Sequence, residues 1–273
     1  KITGHNLHAK MDWRGSPEGD NFYSFYAGKQ TPTEGSDYFD GDWANVLDAA
    51  DLIRDYDGEQ PLCIYLPLGY PHPPYGVEEP YYSMIDRSKV EPPVKPYENW
   101  DDKPSILQGI RAGQHLQGWS EERFVELKAT YLGMCARIDA QYGLILDALR
   151  QSGRYDDSAV FFFSDHGDFT GDYGLVEKTQ NTFQDCLTRV PFIIKPPRSV
   201  PVKPGISQAL VELVDFSGTV YDLTGIEPQY THFSRSLVPL MTGVQSTHRD
   251  AVFCEGGRMQ EEWHCSEHQS IEI

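Results

Sequence analysis

The chain has no apolar run long enough to cross a membrane, and basic residues are in the minority. A membrane-spanning helix needs about 18 or more largely apolar residues in a row, and the sequence contains no such run. It has 23 basic against 41 acidic residues, which gives a formal net charge of -18. Because this charge repels nucleic acids and anionic membrane surfaces, we expect neither of them to be a partner.

Paired cysteine motifs are also missing. The five cysteines lie far apart, without a C-x-x-C pair, so a structural zinc site is not expected. Cys63 and Cys135 stand in apolar surroundings, which predicts buried free thiols. An odd number of unpaired cysteines and the lack of a recognisable signal peptide favour a cytoplasmic location.

The apolar residues that are present, 39% of the sequence, are enough to build the core of one large α/β domain. Helical spacing predicts a helix from about Ser120 to Arg150, with Ser120 as its N-cap. The apolar run Ala159–Phe163 predicts a strand buried on both faces of a parallel sheet. The same patterns predict further helices over 42–57 and 208–223, further strands over 62–66, 190–194 and 251–253, and a long loop over 76–118.

Polar residues directly follow two of the predicted strands. Asp165 and His166 come after Ala159–Phe163, and His72 follows the strand at 62–66 within a proline-rich turn. The carboxyl ends of parallel strands meet at one edge of a sheet, where open α/β folds bind ligands. A carboxylate beside an imidazole predicts half of a metal site. Lys178, in the glycine-rich loop beyond, could reach the same place and neutralise an oxyanion.

Each of these residues also has an ordinary structural interpretation. A D-H-G turn can cap the next element, a His between prolines can be a turn residue, and a loop lysine is typically solvated. Asp168 and Asp172 are expected to cap turns. His264 and His268 have the i, i+4 spacing of metal ligands, but the Glu of an H-E-x-x-H motif is missing, so no metal role is expected there.

Several short motifs follow one another in a characteristic order along the chain: Pro71-His72-x-Pro74-Tyr75, Ile138-Asp139, Ser164-Asp165-His166-Gly167-Asp168, Lys178, Arg189-Val190-Pro191, Leu213-Val214-Asp215, and 236–243. This series resembles the central and C-terminal part of the sulfatase family, within the alkaline-phosphatase superfamily. The resemblance implies one α/β domain over residues 1–273, built on a large, mostly parallel mixed sheet flanked by helices. That domain would lack its N-terminal part, and a small C-terminal subdomain would start within 245–273.

The resemblance also implies roles for four residues. Asp165 and His166 match a pair of ligands to one divalent metal, with calcium as the first expectation and manganese or zinc as alternatives. Lys178 matches the lysine that contacts the sulfate and the bridging ester oxygen, and His72 matches a substrate-binding histidine that can protonate the leaving group. The expected substrate is a small-molecule or saccharide sulfate ester, while the sequence indicates no oligomeric state.

The family's nucleophile is not found in this sequence. Sulfatases attack sulfur with a formylglycine made from the Cys or Ser of a C/S-x-P/A-x-R motif, and no Cys or Ser here stands in one. Cys254 and Arg258 have the right spacing, but Gly256 occupies the Pro/Ala position. We therefore expect the chain as it stands to be inactive and the intact protein to be a metal-assisted sulfatase.

Two other hypotheses stay open. One is a phosphonate or phosphate-diester hydrolase of the same superfamily, because His166 suits manganese or zinc better than calcium. The other is a non-catalytic binding protein on a sulfatase scaffold, since the nucleophile motif is missing. The presence of His72, His166 and Lys178 argues against this last reading, because a protein without activity has no physical need for them.

Overall fold

The computed structural model describes residues 16, 19, 22–32, 37–178 and 182–254 of the chain. The helices and strands within these residues follow in the order β1 (Tyr26–Gln30), α1 (Gly41–Asp55), β2 (Tyr75–Glu78), α2 (Tyr81–Met84), α3 (Ser105–Gln114), α4 (Glu121–Gln151), β3 (Val160–Phe163), α5 (Asp185–Thr188), β4 (Phe192–Lys195), α6 (Asp215–Thr224) and α7 (Val238–Met241), with 3₁₀ turns at Arg87–Lys89 and Asp172–Gly174. None of the described helices is both long and apolar enough to cross a bilayer.

The long helix predicted from Ser120 is α4, and it organises the fold. Ser120 is its N-cap, since the Ser120 side chain accepts a hydrogen bond from the backbone N–H of Arg123. Gly153 follows the helix with a φ of 71°, a left-handed conformation that glycine adopts without a steric penalty. The prediction of this helix and of both its ends is confirmed.

One apolar stripe of α4 forms much of the core. Leu127 and Met134 are fully buried against Tyr75 and Val77 of β2. Near its C-terminal end the same helix packs on α1, where Leu149 joins a cluster with Ala50 and Ile53. The helix therefore connects β2 to α1 and fixes the position of the loop between them.

Two small sheets, rather than the large predicted sheet, are formed by the described residues. β1 and β2 are parallel, with Tyr26 opposite Tyr75. β3 and β4 are antiparallel, with Phe163 opposite Phe192. The strand predicted at 159–163 is thus confirmed, but its description as a parallel strand buried on both faces is wrong. β3 is half-buried. An apolar run predicts that a strand is buried, but it does not predict whether the neighbouring strand is parallel or antiparallel.

The strand predicted at Leu62–Leu66 is not formed in the described part of the chain. A strand needs a neighbour that takes up its backbone hydrogen bonds, and no described segment pairs with residues 61–69. Tyr65 is largely exposed and so is the thiol of Cys63, so the prediction of a buried Cys63 is also wrong. Cys135 is partly buried, and this burial raises the pKa of its thiol to about 11.

The boundaries of several other elements differ from the sequence prediction. The stretch predicted as a loop, 76–118, contains β2, α2 and α3. The helix predicted over 208–223 begins only at Asp215, because Leu210 forms a β-bridge with Arg249. No strand forms at 251–253. Residues 255–273, which include His264 and His268, lie outside the described residues, so the C-terminal subdomain stays a prediction.

Asp215, in the first turn of α6, anchors the segment that follows this helix. Its buried carboxylate accepts hydrogen bonds from the guanidinium of Arg249 and from the backbone N–H groups of Glu212 (3.0 Å) and Arg235 (2.8 Å). Burial disfavours the charged form, but these hydrogen bonds outweigh it and lower the pKa of Asp215 to about 2. The carboxylate is therefore ionised wherever the protein is folded near neutral pH.

Candidate functional site

His72 and Lys178 meet in space although 106 residues separate them in the sequence. The Nζ of Lys178 lies 2.9 Å from the Nε2 of His72 and 2.9 Å from the Oε1 of Glu177. The Nδ1 of His72 lies 2.7 Å from the carbonyl oxygen of Pro73, which can only accept, so we assign the imidazole hydrogen to Nδ1. The Nε2 then accepts a hydrogen bond from the ammonium of Lys178. The arrangement is a charged donor against a neutral imidazole.

The loop that carries His72 is fixed by α1. The carboxylate of Asp42 accepts hydrogen bonds from the backbone N–H groups of Gly69 and Tyr70, both at 2.9 Å. The ring of Tyr70 stacks under the guanidinium of Arg137, 3.8 Å from the ring centroid, a cation–π contact in a desolvated place. These contacts hold the chain two residues before His72.

Arg137 is itself the centre of a buried ionic network. Its side chain has no exposure to solvent and donates hydrogen bonds to Glu78 (2.9 Å) and Asp40 (2.6 Å). Glu78 also accepts from the indole N–H of Trp43 at 2.9 Å. Burial acts against the charged guanidinium, but the two carboxylates outweigh it and raise the pKa of Arg137. The network joins α4, β2 and the start of α1 through paired charges.

The loop that carries Lys178 is fixed by uncharged groups of β2 and α3. The phenol of Tyr75 donates to the Oδ1 of Asp168 (2.7 Å) and accepts from the backbone N–H of Glu177 (2.6 Å). The side-chain amide of Gln114, fully buried, pairs with both backbone groups of Val176, at 2.6 Å and 3.0 Å. The amide thus replaces a neighbouring strand for one residue of the loop.

Of the two aspartates predicted to cap turns in this loop, Asp168 does so, because it accepts from the backbone N–H of Thr170, two residues further on, at 2.7 Å. The prediction for Asp172 is wrong: its carboxylate accepts at 2.9 Å from the backbone N–H of Val94, 78 residues away, and it does not cap the turn in which it stands. Burial raises the pKa of Asp168 above its ordinary value, although its hydrogen bonds oppose this. Asp168 therefore shapes the loop locally, as the sequence suggested, whereas Asp172 ties the loop to the segment around Val94.

Asp165 and His166 lie beside His72 at the end of β3. The rings of His72 and His166 have centroids 6.3 Å apart. The side chain of Asp165 is 86% exposed and that of His166 is 37% exposed. The Nδ1 of His166 lies 2.8 Å from the carbonyl oxygen of Gly167, which places the hydrogen on Nδ1 and leaves the Nε2 lone pair to act as a metal ligand.

These two side chains fit two positions around a divalent cation. The Oδ1 of Asp165 and the Nε2 of His166 are 3.8 Å apart, a spacing that suits neighbouring ligands of one ion. Within the described residues, however, no group of three or more His, Cys, Asp or Glu side chains could hold a metal. Calcium takes six to eight oxygen ligands, so the pair forms part of a site that needs further ligands.

Sequence reasoning missed three residues around this site, namely Tyr75, Gln114 and Glu177. Tyr75 stands inside the quoted H-x-P-Y motif and Glu177 directly precedes Lys178, so both could have been suspected from their position. Gln114 carries no such signal, because its role depends on a contact across 62 residues.

Proteins similar to this chain include hydrolases of the alkaline-phosphatase superfamily. A multifunctional alkaline phosphatase superfamily protein of Trinickia caryophylli, PehA, is 28% identical over 209 residues, which cover 71% of this chain and 40% of that protein. A choline-sulfatase of Rhizobium meliloti (strain 1021) is 27% identical over 203 residues, covering 72% of this chain and 39% of that protein. The chain thus spans about two fifths of the length of these curated relatives.

The fold is also similar to that of a solved structure. A phosphonate monoester hydrolase from Silicibacter pomeroyi superposes with a TM-score of 0.64 at 24% sequence identity, over 81% of this chain and 47% of that one. This likeness shows an alkaline-phosphatase-like fold. The Sulfatase family model matches residues 3–226, which is most of the sequence. The chain belongs to the sulfatase family.

Proposed function

We propose that this chain is the central and C-terminal portion of a metal-assisted hydrolase of small-molecule or saccharide sulfate esters. The observation that carries the proposal is the contact between Lys178 and His72, at 2.9 Å. With a net charge of -18, the protein repels anions at long range, so a sulfate group needs a local cation. Lys178 supplies this cation, and its loop is held by the contacts with Tyr75 and Gln114.

The two residues divide the work between charge and proton transfer. The ammonium of Lys178 neutralises charge on the sulfate and on the bridging ester oxygen. When an oxygen nucleophile from outside these residues bonds to sulfur, the S–O bond to the alcohol breaks, and the alcohol oxygen takes up a proton and leaves as the free alcohol. The proton on the line between Nζ of Lys178 and Nε2 of His72 is the one available for this step. Water then restores it to the pair.

Asp165 and His166 would hold one divalent cation, with calcium first and manganese or zinc as alternatives. Such an ion, when bound, neutralises negative charge on the group being transferred. The residues of this chain favour that role in two ways: the carboxylate of Asp165 is open to solvent, and the carbonyl of Gly167 fixes the tautomer of His166. A formylglycine nucleophile would come from outside these 273 residues, because none of them stands in its motif.

The proposal treats residues 1–273 as one sulfatase-like α/β domain without its N-terminal part, with 245–273 as the start of a small C-terminal subdomain. Coverage of about two fifths of the curated relatives supports this. In the whole protein the two small sheets would then belong to one large, mostly parallel mixed sheet.

Binding of inorganic sulfate to this chain tests the role of Lys178. We expect Lys178→Gln to weaken binding by about tenfold or more, which corresponds to roughly 1.4 kcal/mol for one lost charge-assisted contact. Lys29→Gln is the matched control, because Lys29 pairs with Glu79 at 2.7 Å on the surface. Equal affinities of the two variants for sulfate would refute the assignment.

Turnover tests the expected inactivity of this chain. With calcium added, its hydrolysis of an aryl sulfate should not exceed that of an Asp165→Ala control. Turnover above the control would show that the chain needs no further nucleophile. Reading the coding sequence upstream of Lys1 for a C/S-x-P/A-x-R motif then separates an enzyme from a non-catalytic binding protein.

A phosphonate or phosphate-diester hydrolase is the second candidate. The relative from Trinickia caryophylli is named as multifunctional, and a phosphonate monoester hydrolase shares the fold. The deciding measurement compares kcat/KM for a sulfate ester and a phosphonate ester, using the whole protein that carries this sequence. A preference for the phosphonate ester would favour this candidate, and metal analysis of the same sample would show which ion accompanies it.

A further inference from the structure

The carboxylate of Glu177 lies between the two residues assigned to the substrate. Its side chain is only 6% exposed, against 47% for His72 and 20% for Lys178. The Oε1 of Glu177 is 2.9 Å from the Nζ of Lys178 and 3.8 Å from the Nε2 of His72. One carboxylate oxygen of this buried side chain therefore lies close to both the Lys178 ammonium and the Nε2 of His72.

The backbone of Glu177 is held in an uncommon conformation that makes this approach feasible. Its φ is 61°, in the left-handed region that non-glycine residues seldom occupy and that clusters at functional sites. Its N–H donates to the phenol of Tyr75 at 2.6 Å, and its carbonyl accepts from the N–H of Phe169 at 3.1 Å. In an extended chain, consecutive side chains point to opposite sides, whereas here those of Glu177 and Lys178 meet.

We propose that Glu177 is a positioning residue, whose buried carboxylate fixes the ammonium of Lys178 against the Nε2 of His72. The inference rests on the proposed function for the roles of Lys178 and His72. A lysine side chain is long and flexible, and a buried charged partner removes that freedom. A carboxylate beside the cation also reduces the attraction of Lys178 for an anion. Glu177 thus fixes the position of the Lys178 ammonium and at the same time lowers the affinity of the site for sulfate.

Loss of the Glu177 charge should therefore change the mobility of the Lys178 ammonium without weakening the binding of sulfate. Glu177→Gln keeps the size of the side chain and loses its charge, so the ammonium of Lys178 becomes mobile while its attraction for sulfate is kept or increased. Local collapse of the site would instead weaken sulfate binding. Glu177→Asp keeps the charge on a stem that is one methylene shorter, so it should restore part of the order.

The lysine ammonium signals of the uniformly ¹⁵N-labelled chain measure this order. An ammonium group gives a visible signal when hydrogen bonds slow its exchange, and the signal of Lys178 is identified by its loss in Lys178→Gln. We expect it in the parent chain, absent in Glu177→Gln and partly recovered in Glu177→Asp. Glu79→Gln, which removes the partner of exposed Lys29, should leave it unchanged. The indole N–H signal of Trp43, bound to Glu78, confirms that each variant is folded.

Two results would overturn the proposal: no Lys178 signal in the parent chain, or an unchanged signal in folded Glu177→Gln. Inorganic sulfate titrated into the same samples supplies the second measurement. Affinity of Glu177→Gln within twofold of the parent, or tighter, supports the inference, and a larger loss contradicts it. If sulfate binds to neither protein, the proposed function fails, while the Lys178 signal still decides the role of Glu177.

Discussion

His72 and Lys178 are held by contacts from α1, β2, α3 and α4, whereas Asp165 and His166 stand at the end of β3 with much of their side chains in solvent. In the proposed function the first pair presents a cation and a proton in a fixed place, and the protein scaffold itself sets the geometry of that pair. The second pair would take its geometry from a shared ion and from further ligands. This part of the chain therefore fixes the geometry of His72 and Lys178 by itself, but not that of Asp165 and His166.

The two loops of the first pair also differ in what holds them. The loop of His72 depends on charged groups, Asp42 and Arg137, while that of Lys178 depends on the phenol of Tyr75 and the amide of Gln114. Substitutions that remove one support at a time should therefore differ in their effects on stability and on local exchange.

Arg137→Ala would break the charged support. It leaves the carboxylates of Glu78 and Asp40 buried without their cation, and we expect a loss of about 3–5 kcal/mol in the free energy of unfolding. Arg54→Ala is the control, because Arg54 pairs with Asp51 at the surface and such pairs contribute about 0–1 kcal/mol. Urea unfolding measures both variants. A loss for Arg137→Ala no larger than that of the control would show that the network is not a support.

Gln114→Ala would break the uncharged support. It leaves the buried N–H and carbonyl of Val176 without partners, at a cost of about 2–3 kcal/mol. Amide hydrogens of the loop 167–178 should exchange faster with solvent, while those of 69–75 should not change. Gln117→Ala, which removes an exposed hydrogen bond to the carbonyl of Arg111, is the control. Equal exchange in the two variants would contradict the role of Gln114.

Acid should reduce the stabilisation that the charged anchor Asp215 contributes, and it should leave that of the uncharged Gln114 unchanged. The pKa of Asp215 is lowered to about 2 in the folded chain, below that of an unfolded aspartate, so its stabilisation is present above pH 4 and is lost as the pH falls through 2. The difference in unfolding free energy between the parent and Asp215→Asn should narrow by about 1 kcal/mol between pH 5 and pH 3. The difference between the parent and Gln114→Ala should stay constant. A constant difference for Asp215→Asn would show that this carboxylate is not specifically stabilised.

Asp165→Ala should have the smallest effect. Its side chain is 86% exposed, and substitutions at such positions usually change the unfolding free energy by less than about 0.5 kcal/mol. Urea unfolding in the presence of a chelator gives the value without a contribution from bound cations. A loss above about 1 kcal/mol would mean that the second pair is built into the scaffold like the first.

Local features of this fold were readable from the sequence, and long-range ones were not. Ser120, the apolar stripe of α4 and Gly153 specify a helix within one stretch of chain. The direction of pairing between β3 and β4 depends on a segment about 30 residues away, which periodicity does not record. Leu62–Leu66 has the composition of a strand, but the described residues provide no partner for it.

The candidate site shows the same limit. Asp165, His166 and the loop of Lys178 were found from the composition and order of motifs, and their chemical roles stay a prediction. Glu177 could be suspected from its place before Lys178, but the contact of its carboxylate with the Lys178 ammonium was not foreseeable, because it depends on a left-handed backbone that the sequence does not require of a glutamate. The contact of Gln114 with Val176 likewise arises only when α3 packs on the loop.

The exposed segment at 62–66 also bears on how this chain by itself avoids aggregation. Leu62-Cys63-Ile64-Tyr65-Leu66 carries no charge, and Ile64 and Tyr65 face solvent, so the segment resembles a template for cross-β stacking. Pro61 and Pro67 border it on both sides. Each lacks the N–H that a growing ladder would use, which limits the segment to five residues, fewer than the six or seven of a typical steric zipper. Within this chain, the two prolines therefore act against fibril growth from residues 62–66.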